Sequence, residues 1–197
     1  MSYLADNLKV LLWKNKGELS NRSYAEYIDH VAKQCRMDGE HFRAILRGDV
    51  QADDLEERKL RLFFEDFGYD LSAIRYMPLF EDLIEKSGDE LLDRNLRFLL
   101  QSLERGENGE FIQAIGVNPS TVSRWKQGIT KPDRESQRRI CGFFGYSDER
   151  VLRRRFLFLG LEPVSTQQRK RRCQKLMENM DRDEFEKIYP ALIKLLN

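Results

Sequence analysis

The 197-residue sequence predicts an all-α protein. Leu, Lys, Arg and Glu dominate, and glycine and proline are sparse inside the periodic segments, which is a composition typical of helices. Apolar residues recur at spacings of three and four, as at Leu60, Phe63, Phe64 and Phe67, and no convincing alternating run of β-branched residues predicts a strand. We therefore expect two tandem domains of four to five helices each, followed by a short C-terminal helical element.

An internal repeat is the basis for the two domains. Three segments recur in the same order: residues 6–14 resemble 94–102, residues 42–49 resemble 122–129, and residues 62–70 resemble 140–148. The repeat predicts a first, divergent domain over residues 1–76 and a second domain over residues 94–162. Residues 77–93 are expected to be a helical connector, with Pro78 and Gly88 as its breaks.

The C-terminal segment, residues 163–197, is predicted to form a pair of helices at roughly 166–180 and 182–196. The last helix carries an apolar stripe composed of Phe185, Ile188, Tyr189, Leu192, Ile193 and Leu196. Because such a stripe has to be buried, the pair is expected to seal a core or to form a homodimer.

Charged residues make up 34% of the chain but nearly cancel, leaving a formal net charge of +1. Their distribution is uneven, since residues 1–80 hold 12 basic and 14 acidic side chains, whereas residues 95–160 hold 12 and 7. A basic segment suits a polyanionic partner, although a solvated helix face is the commoner reason for such a bias. Local motifs therefore have to identify the partner.

Several classes of protein are disfavoured by the sequence. Three widely spaced cysteines, Cys35, Cys141 and Cys173, favour a reducing cytoplasm over a disulfide framework or a zinc site. The N-terminus does not resemble a signal peptide, and no apolar run approaches the roughly 18 residues of a transmembrane helix. No catalytic triad, carboxylate pair or phosphate-binding loop is defensible, so neither an enzyme nor a bound cofactor or metal is expected.

The segment NGEFIQAIGVNPSTVSRWKQ, residues 108–127, predicts two short helices joined by a tight turn. Gly116 supplies the positive φ of the turn, Asn118 is a favourable N-cap, and Pro119 suits the first helical position. Val122 and Trp125 anchor the second helix from one side. Its other side chains are polar and point outward, which predicts a binding surface.

Residues 95–146, and IGVNPSTVSRWKQGITKPD in particular, resemble the lambda-repressor-like helix-turn-helix domains of the Cro/C1 or XRE type. The resemblance implies that helix 119–127 is a recognition helix in the major groove of double-stranded DNA. It assigns base reading to Ser120, Thr121, Ser123 and Arg124, with Arg124 suited to guanine O6 and N7. It assigns phosphate contacts to Asn108, Lys126, Gln127, Thr130, Lys131 and Arg134. Pro119 stands where the family commonly has glutamine, so the family's base preferences do not transfer.

The first copy keeps the same skeleton, with Phe42 and Ile45 in the places of Val122 and Trp125. Its candidate contact residues are Glu40, His41, Arg43 and Arg47. Acidic residues over 53–57 occupy the place of the basic residues that follow the second recognition helix. They stabilise a helix start but repel a phosphate backbone. Base reading, dimerisation and partner binding therefore all stay open for this copy.

Together these features predict a sequence-specific transcriptional regulator, in first place a repressor, of bacterial or phage origin. A homodimer would present two recognition helices about 34 Å apart, matching a palindromic operator. Alternatively, the tandem copies would let one chain contact two adjacent sites. The alternative is a protein-interaction adaptor or antitoxin-like module that uses its helix-turn-helix domains, or its C-terminal helices, to bind a protein partner.

Overall fold

A computed structural model of the protein describes residues 2–19, 23–104, 106–162, 164, 169–170, 173–174, 177–178 and 180–196. Over these residues all regular structure is helical, so the predicted all-α class is confirmed. The chain divides into two compact units, Met1–Glu162 and Pro163–Asn197.

The described residues of the first unit form ten α-helices. Those of the first copy are α1 (Leu4–Leu19), α2 (Tyr24–Gln34), α3 (Gly39–Arg47) and α4 (Asp54–Glu65). They are followed by α5 (Glu81–Lys86), α6 (Gly88–Gln101), α7 (Glu107–Ile115), α8 (Pro119–Lys126), α9 (Arg134–Phe143) and α10 (Val151–Arg154). A short 3₁₀ helix, Leu157–Leu159, closes the unit.

Capping side chains fix several of the helix starts. Ser23 and Asp53 each form a capping box, in which the cap side chain and the glutamate three residues later bond to each other's backbone amides. Asp38 and Asp133 cap α3 and α9 through the amides of His41 and Ser136. These caps explain why each polar loop gives way to a helix at that residue.

The two copies repeat the same backbone. The turn between α2 and α3 has Arg36 at φ 52°, and the turn between α7 and α8 has Gly116 at φ 74°. Arg36 is the one non-glycine residue with positive φ in the described part of the chain. Gly48 and Gly128, which follow α3 and α8, also share a positive φ, at 81° and 71°. The repeat seen in the sequence is therefore a repeat of conformation.

A buried asparagine supports each copy at the same position of its first helix. The side-chain amide of Asn7 donates to the carbonyls of Ile74 and Met77, both at 2.7 Å, and its Oδ1 accepts from the amide of Leu79. Asn95 donates to the carbonyls of Leu152 and Arg155 at 2.9 and 2.6 Å, and accepts from the amide of Phe158. Each asparagine thus ties the first helix of its copy to the last turn.

A shared aromatic core joins the two copies. Trp13 of α1 lies with its ring centroid 5.7 Å from that of Phe156 and 6.4 Å from that of Phe158. Tyr24 of α2 packs on Phe158 at 5.1 Å. Leu91 of α6 and Val10 of α1 belong to the same buried cluster. Because residues of both copies exclude water from one another here, residues 1–162 form one compact unit.

The connector region is helical, with a break at Ser87 between α5 and α6. The first helix of the second copy starts at Gly88, before the expected residue 94, and Asp89 in its first turn pairs with Arg153 of α10. The division into domains at residues 77–93 stays a prediction.

The second unit contains α11 (Arg182–Leu196). Asp181 caps it by accepting from the amide of Glu184 at 2.8 Å. Within the apolar stripe, Tyr189 and Ile193 are 46% and 39% exposed. Most of the first predicted C-terminal helix, 166–180, lies outside the described residues, although 169–170, 173–174 and 177–178 are helical.

Candidate nucleic-acid interface

The α7–α8 pair is held by a small number of contacts on one side. Val122 and Trp125 of α8 are 3% and 6% exposed, and Phe111 and Ile115 of α7 are fully buried. Arg139 of α9 donates through Nη1 to the carbonyl of Ile115 at 3.0 Å, which satisfies a carbonyl at the end of α7. The buried anchors orient the opposite side of α8 toward solvent.

The four residues predicted to read bases all lie on α8. Ser120, Ser123 and Arg124 are exposed, and Thr121 is half-buried. Within the part of the chain that the structure describes, Arg124 forms no hydrogen bond or ion pair through its guanidinium. An arginine that is not neutralised by its own protein keeps all its donors for a ligand.

Asn118 occupies the predicted N-cap position of α8, but its side chain makes no capping bond. The amide of Thr121, which a capping side chain would accept from, donates instead to the Asn118 backbone carbonyl at 3.0 Å. In the first copy, by contrast, the Asp38 carboxylate caps α3 through the amide of His41 at 2.9 Å. The start of α8 therefore carries no anionic cap and leaves the exposed Asn118 amide group free for contacts.

The predicted phosphate contacts are in three kinds of environment. Lys126 donates to Asn108 Oδ1 at 2.9 Å, so these two residues brace α8 against α7. Lys131 pairs with Asp93 at 2.9 Å and is still 60% exposed, and Arg134 pairs with Glu149 at 3.2 Å and is 78% exposed. Gln127 is exposed and Thr130 half-buried beside them. Exposed ion pairs of this kind are weak, so the two cations can exchange a carboxylate for a phosphate.

Arg97 of α6 lies at the end of α8, where the sequence did not indicate a site residue. A Cβ added at Gly128 would lie 2.5 Å from Arg97 Nη2, so the guanidinium rests directly on this glycine. Arg97 also lines a small recess with Thr130 and Lys131. Because Arg97 is far from α8 in the sequence, the sequence alone does not predict that the two are close in space. Ile129, 61% exposed beside Gly128, is a second residue of this edge that the sequence did not single out.

In the first copy, every predicted contact residue is already paired. Arg47 binds Glu40 at 3.0 Å and Asp49 at 2.6 Å, and it is only 12% exposed. His41 contacts Glu56 at 2.9 Å, and Arg43 pairs with Asp29 at 2.7 Å. These contacts form three separate groups on and around α3.

The two equivalent surfaces consequently differ in charge. Residues 36–58 hold four basic and seven acidic side chains, whereas residues 116–138 hold five and two. Of the two carboxylates in residues 116–138, Glu135 pairs with Arg138 and Arg139 of its own helix, and Asp133 has a structural role. Asp133 caps α9, and its hydrogen bond from the Ser136 backbone amide lowers the pKa of its carboxyl. The Arg134 guanidinium lowers the pKa of Glu149. The second surface is therefore the one suited to an anion.

The described residues contain no cluster of His, Cys, Asp or Glu that could hold a metal ion. Over the same residues, no helix combines the length and apolar character needed to cross a membrane. The chain matches no protein-family model, no curated protein and no solved structure.

Proposed function

We propose that the protein is a sequence-specific regulator of transcription, in first place a repressor, that binds double-stranded DNA with α8 in the major groove. The observation that supports the proposal is the difference in exposure and ion pairing between the outward side chains of α8 and those of α3. On α8, Ser120, Ser123 and Arg124 are exposed, and among the described residues no carboxylate neutralises Arg124. On the equivalent α3 the outward side chains are engaged with carboxylates of the same copy. The resemblance to lambda-repressor-like domains likewise implies that this outward side of α8 faces the major groove of DNA.

Base reading is assigned to the exposed face of α8. The planar guanidinium of Arg124 can donate two hydrogen bonds to guanine O6 and N7, and a bidentate contact of this kind contributes about 1–3 kcal/mol of discrimination. Ser120, Thr121 and Ser123 carry short hydroxyl groups that fit close to base edges. Because both buried anchors lie on the opposite side of α8, reading bases requires no rearrangement of the core.

Phosphate contacts are assigned to the edge at the end of α8. Lys131 and Arg134 are exposed there, and Arg97 adds a third cation from α6. These contacts position the helix and supply affinity that does not depend on sequence. The acidic surface of the first copy would weaken DNA binding if it approached a phosphate backbone, so we assign reading to the second copy alone.

The test is DNA binding by purified protein, using fragments from around its own gene and excess nonspecific competitor. We expect wild-type protein to bind one fragment. Arg124→Ala should lose about 1–3 kcal/mol and relax specificity at one base pair. Arg43→Ala, which removes an arginine from the outward side of α3, is the matched control and should bind as wild type does. Equal loss by Arg124→Ala on all sequences would identify a phosphate contact instead.

A second function is favoured by the paired and acidic surface of the first copy. There the helix-turn-helix skeleton would bind a protein partner, as in an adaptor or antitoxin-like module. Salt separates the two functions, because DNA binding through several phosphates weakens steeply as salt rises, whereas apolar docking between proteins does not. No binding above competitor by wild-type protein would put this second function first.

A further inference from the structure

The turn at the end of α8 brings Ile129 back onto that helix. The Gly128 amide donates to the Trp125 carbonyl at 3.0 Å, and the Ile129 amide donates to the Arg124 carbonyl at 2.9 Å. With Gly128 at φ 71°, this pair of bonds is a Schellman motif. In such a motif the residue after the glycine commonly makes an apolar contact with the residue five positions before it, which is Arg124 here.

The recess beside the end of α8 indicates which way the Ile129 side chain faces. Gly128 and Thr130 line this recess together with Arg97, whereas Ile129, between them in the chain, does not line it. Ile129 is also 61% exposed, so the core does not hold its side chain. The side chain is therefore directed away from the recess and from Arg97.

The first copy shows what a side chain at this position can reach. Asp49 takes the place of Ile129 there, and its amide donates to the Ala44 carbonyl at 3.0 Å. The Asp49 carboxylate pairs at 2.6 Å with Arg47, which is three residues from Ala44 and shares the outward side of α3 with it. Because the two turns have the same hydrogen bonds, Ile129 lies in the same way beside the outward residues of α8, including Arg124.

We propose that Ile129 is a positioning residue for Arg124, whose aliphatic stem it covers so that the guanidinium is held toward the bases. The inference rests on the proposed function, in which Arg124 reads a guanine. Side chains of a helix lean toward its N-terminus, so the stem of Arg124 leaves open the flank on which Ile129 lies. Among the described residues no polar group holds the guanidinium, and an apolar contact with the stem orders it without using any of its donors.

The two copies differ at both positions of this pair. The first copy has Ala44 in place of Arg124 and Asp49 in place of Ile129. Asp49 shows that the turn accepts a charged residue, so the backbone does not require isoleucine. A carboxylate at position 129 would lie close enough to compete with DNA for the Arg124 guanidinium, whereas isoleucine can cover the stem and leaves the charge free.

The experiment is a double-mutant cycle on the DNA fragment that wild-type protein binds, measured by fluorescence anisotropy. Ile129→Ala should weaken specific binding about two- to tenfold, which is the cost of ordering one free arginine side chain, and should leave nonspecific binding unchanged. In the Arg124→Ala background the same change should have no effect. Ile129→Leu, which keeps an apolar side chain, should bind as wild type does, and Val50→Ala, at an exposed apolar residue of the first copy, is the control.

Ordering of Arg124 is also measurable without DNA. In ¹⁵N-labelled protein the Nε–Hε signal of Arg124 is identified by its absence from Arg124→Ala, and its heteronuclear NOE should fall in Ile129→Ala. Equal losses of DNA binding in both backgrounds would overturn the proposal, since Ile129 would then act without Arg124. A wild type that binds no DNA would refute the proposed function. The NOE still decides on the contact in that case, because equal mobility of Arg124 with and without Ile129 would overturn it.

Discussion

Asn7 and Asn95 make the same three hydrogen bonds in the two copies of the repeat. Each is buried, at 3% and 0% exposure, and each donates to two backbone carbonyls and accepts from one backbone amide of the closing turn. An asparagine amide matches this set because it has both donors and an acceptor. The pair shows that the repeat extends to the buried polar contacts that close each copy.

Replacing Asn95 by alanine should therefore be costly. The change leaves the Phe158 amide and two carbonyls without partners, and we expect a loss on the order of 3 kcal/mol in the free energy of unfolding. Urea denaturation measures it. Asn15→Ala is the control, because Asn15 is also buried but bonds, among the described residues, to the Leu11 carbonyl of its own helix, and about 1 kcal/mol or less should be lost. Similar losses for both variants would contradict the closing role of Asn95.

The turn before α8 should tolerate only glycine well. Gly116 has φ 74°, where a side chain costs roughly 1–2 kcal/mol, so Gly116→Ala is expected to lower the unfolding free energy by that amount. Gly109 lies within α7 with open space around its Cα, and Gly109→Ala should raise stability by about 0.5–1 kcal/mol. Thermal unfolding should therefore show a lower stability for Gly116→Ala and a higher stability for Gly109→Ala, which distinguishes the turn from the helix. Stabilisation by Gly116→Ala would refute the turn geometry.

Phe158 should couple the unfolding of the two copies. Its ring packs on Trp13 and Tyr24 of the first copy, and Phe158→Ala is expected to cost about 3–5 kcal/mol. Fluorescence reports each copy separately, because Trp13→Phe leaves Trp125 in the second copy and Trp125→Phe leaves Trp13 in the first. With Phe158 present, we expect the two single-tryptophan variants to unfold at the same midpoint. With Phe158→Ala added, we expect their midpoints to differ. Coincidence in both backgrounds would show that other contacts couple the copies.

Freeing Lys131 should strengthen DNA binding if the proposed interface is correct. Asp93 holds the Lys131 ammonium at 2.9 Å, and Asp93→Ala removes this competing carboxylate. We expect tighter binding to all sequences, whereas Lys131→Ala should weaken binding uniformly and reduce the salt slope by about one. Fluorescence anisotropy across a salt series measures both effects. Unchanged binding by the two variants would remove Lys131 from the phosphate contacts.

The two buried thiols should make stability fall in alkaline solution. Burial raises the pKa of Cys35 to about 11 and that of Cys141 to about 11. An unfolded thiol ionises near pH 8.5. Below that pH the free energy of unfolding is unaffected, and between pH 8.5 and about 11 it falls, because only the unfolded thiols ionise. Urea denaturation at pH 8 and pH 10 measures whether the free energy of unfolding falls, and Cys35→Ala is expected to reduce this fall. A pH-independent unfolding free energy would contradict it.

The same burial predicts the order of thiol reactivity. At pH 8 a disulfide reagent should modify the exposed Cys173 rapidly and the two buried thiols only after unfolding. Cys173→Ser should remove the fast phase.

Much of the fold was accessible from the sequence because its signals are local. The spacing of apolar residues determines which segments are helices. Gly116 marks the turn before α8, and α8 itself was predicted at 119–127 and lies at Pro119–Lys126. The repeat was also visible, although Arg36 takes the left-handed turn position without being a glycine. Asn118 is the N-cap of α8 as predicted, although its backbone carbonyl, and not its side chain, accepts from the amide of Thr121.

Tertiary structure alone decided which charges remain free. Arg43 and Arg124 both lie on the outward side of a helix, but Asp29 of a neighbouring helix neutralises the first, and in the described part of the chain no carboxylate reaches the second. Arg97 reaches the end of α8 only because α6 packs beside it. Ion pairing and burial depend on distances through space between segments far apart in the chain, and no local pattern encodes them. The sequence by itself determined the helices, the repeat and the α7–turn–α8 segment, whereas packing determined which of the outward charges are paired within the chain.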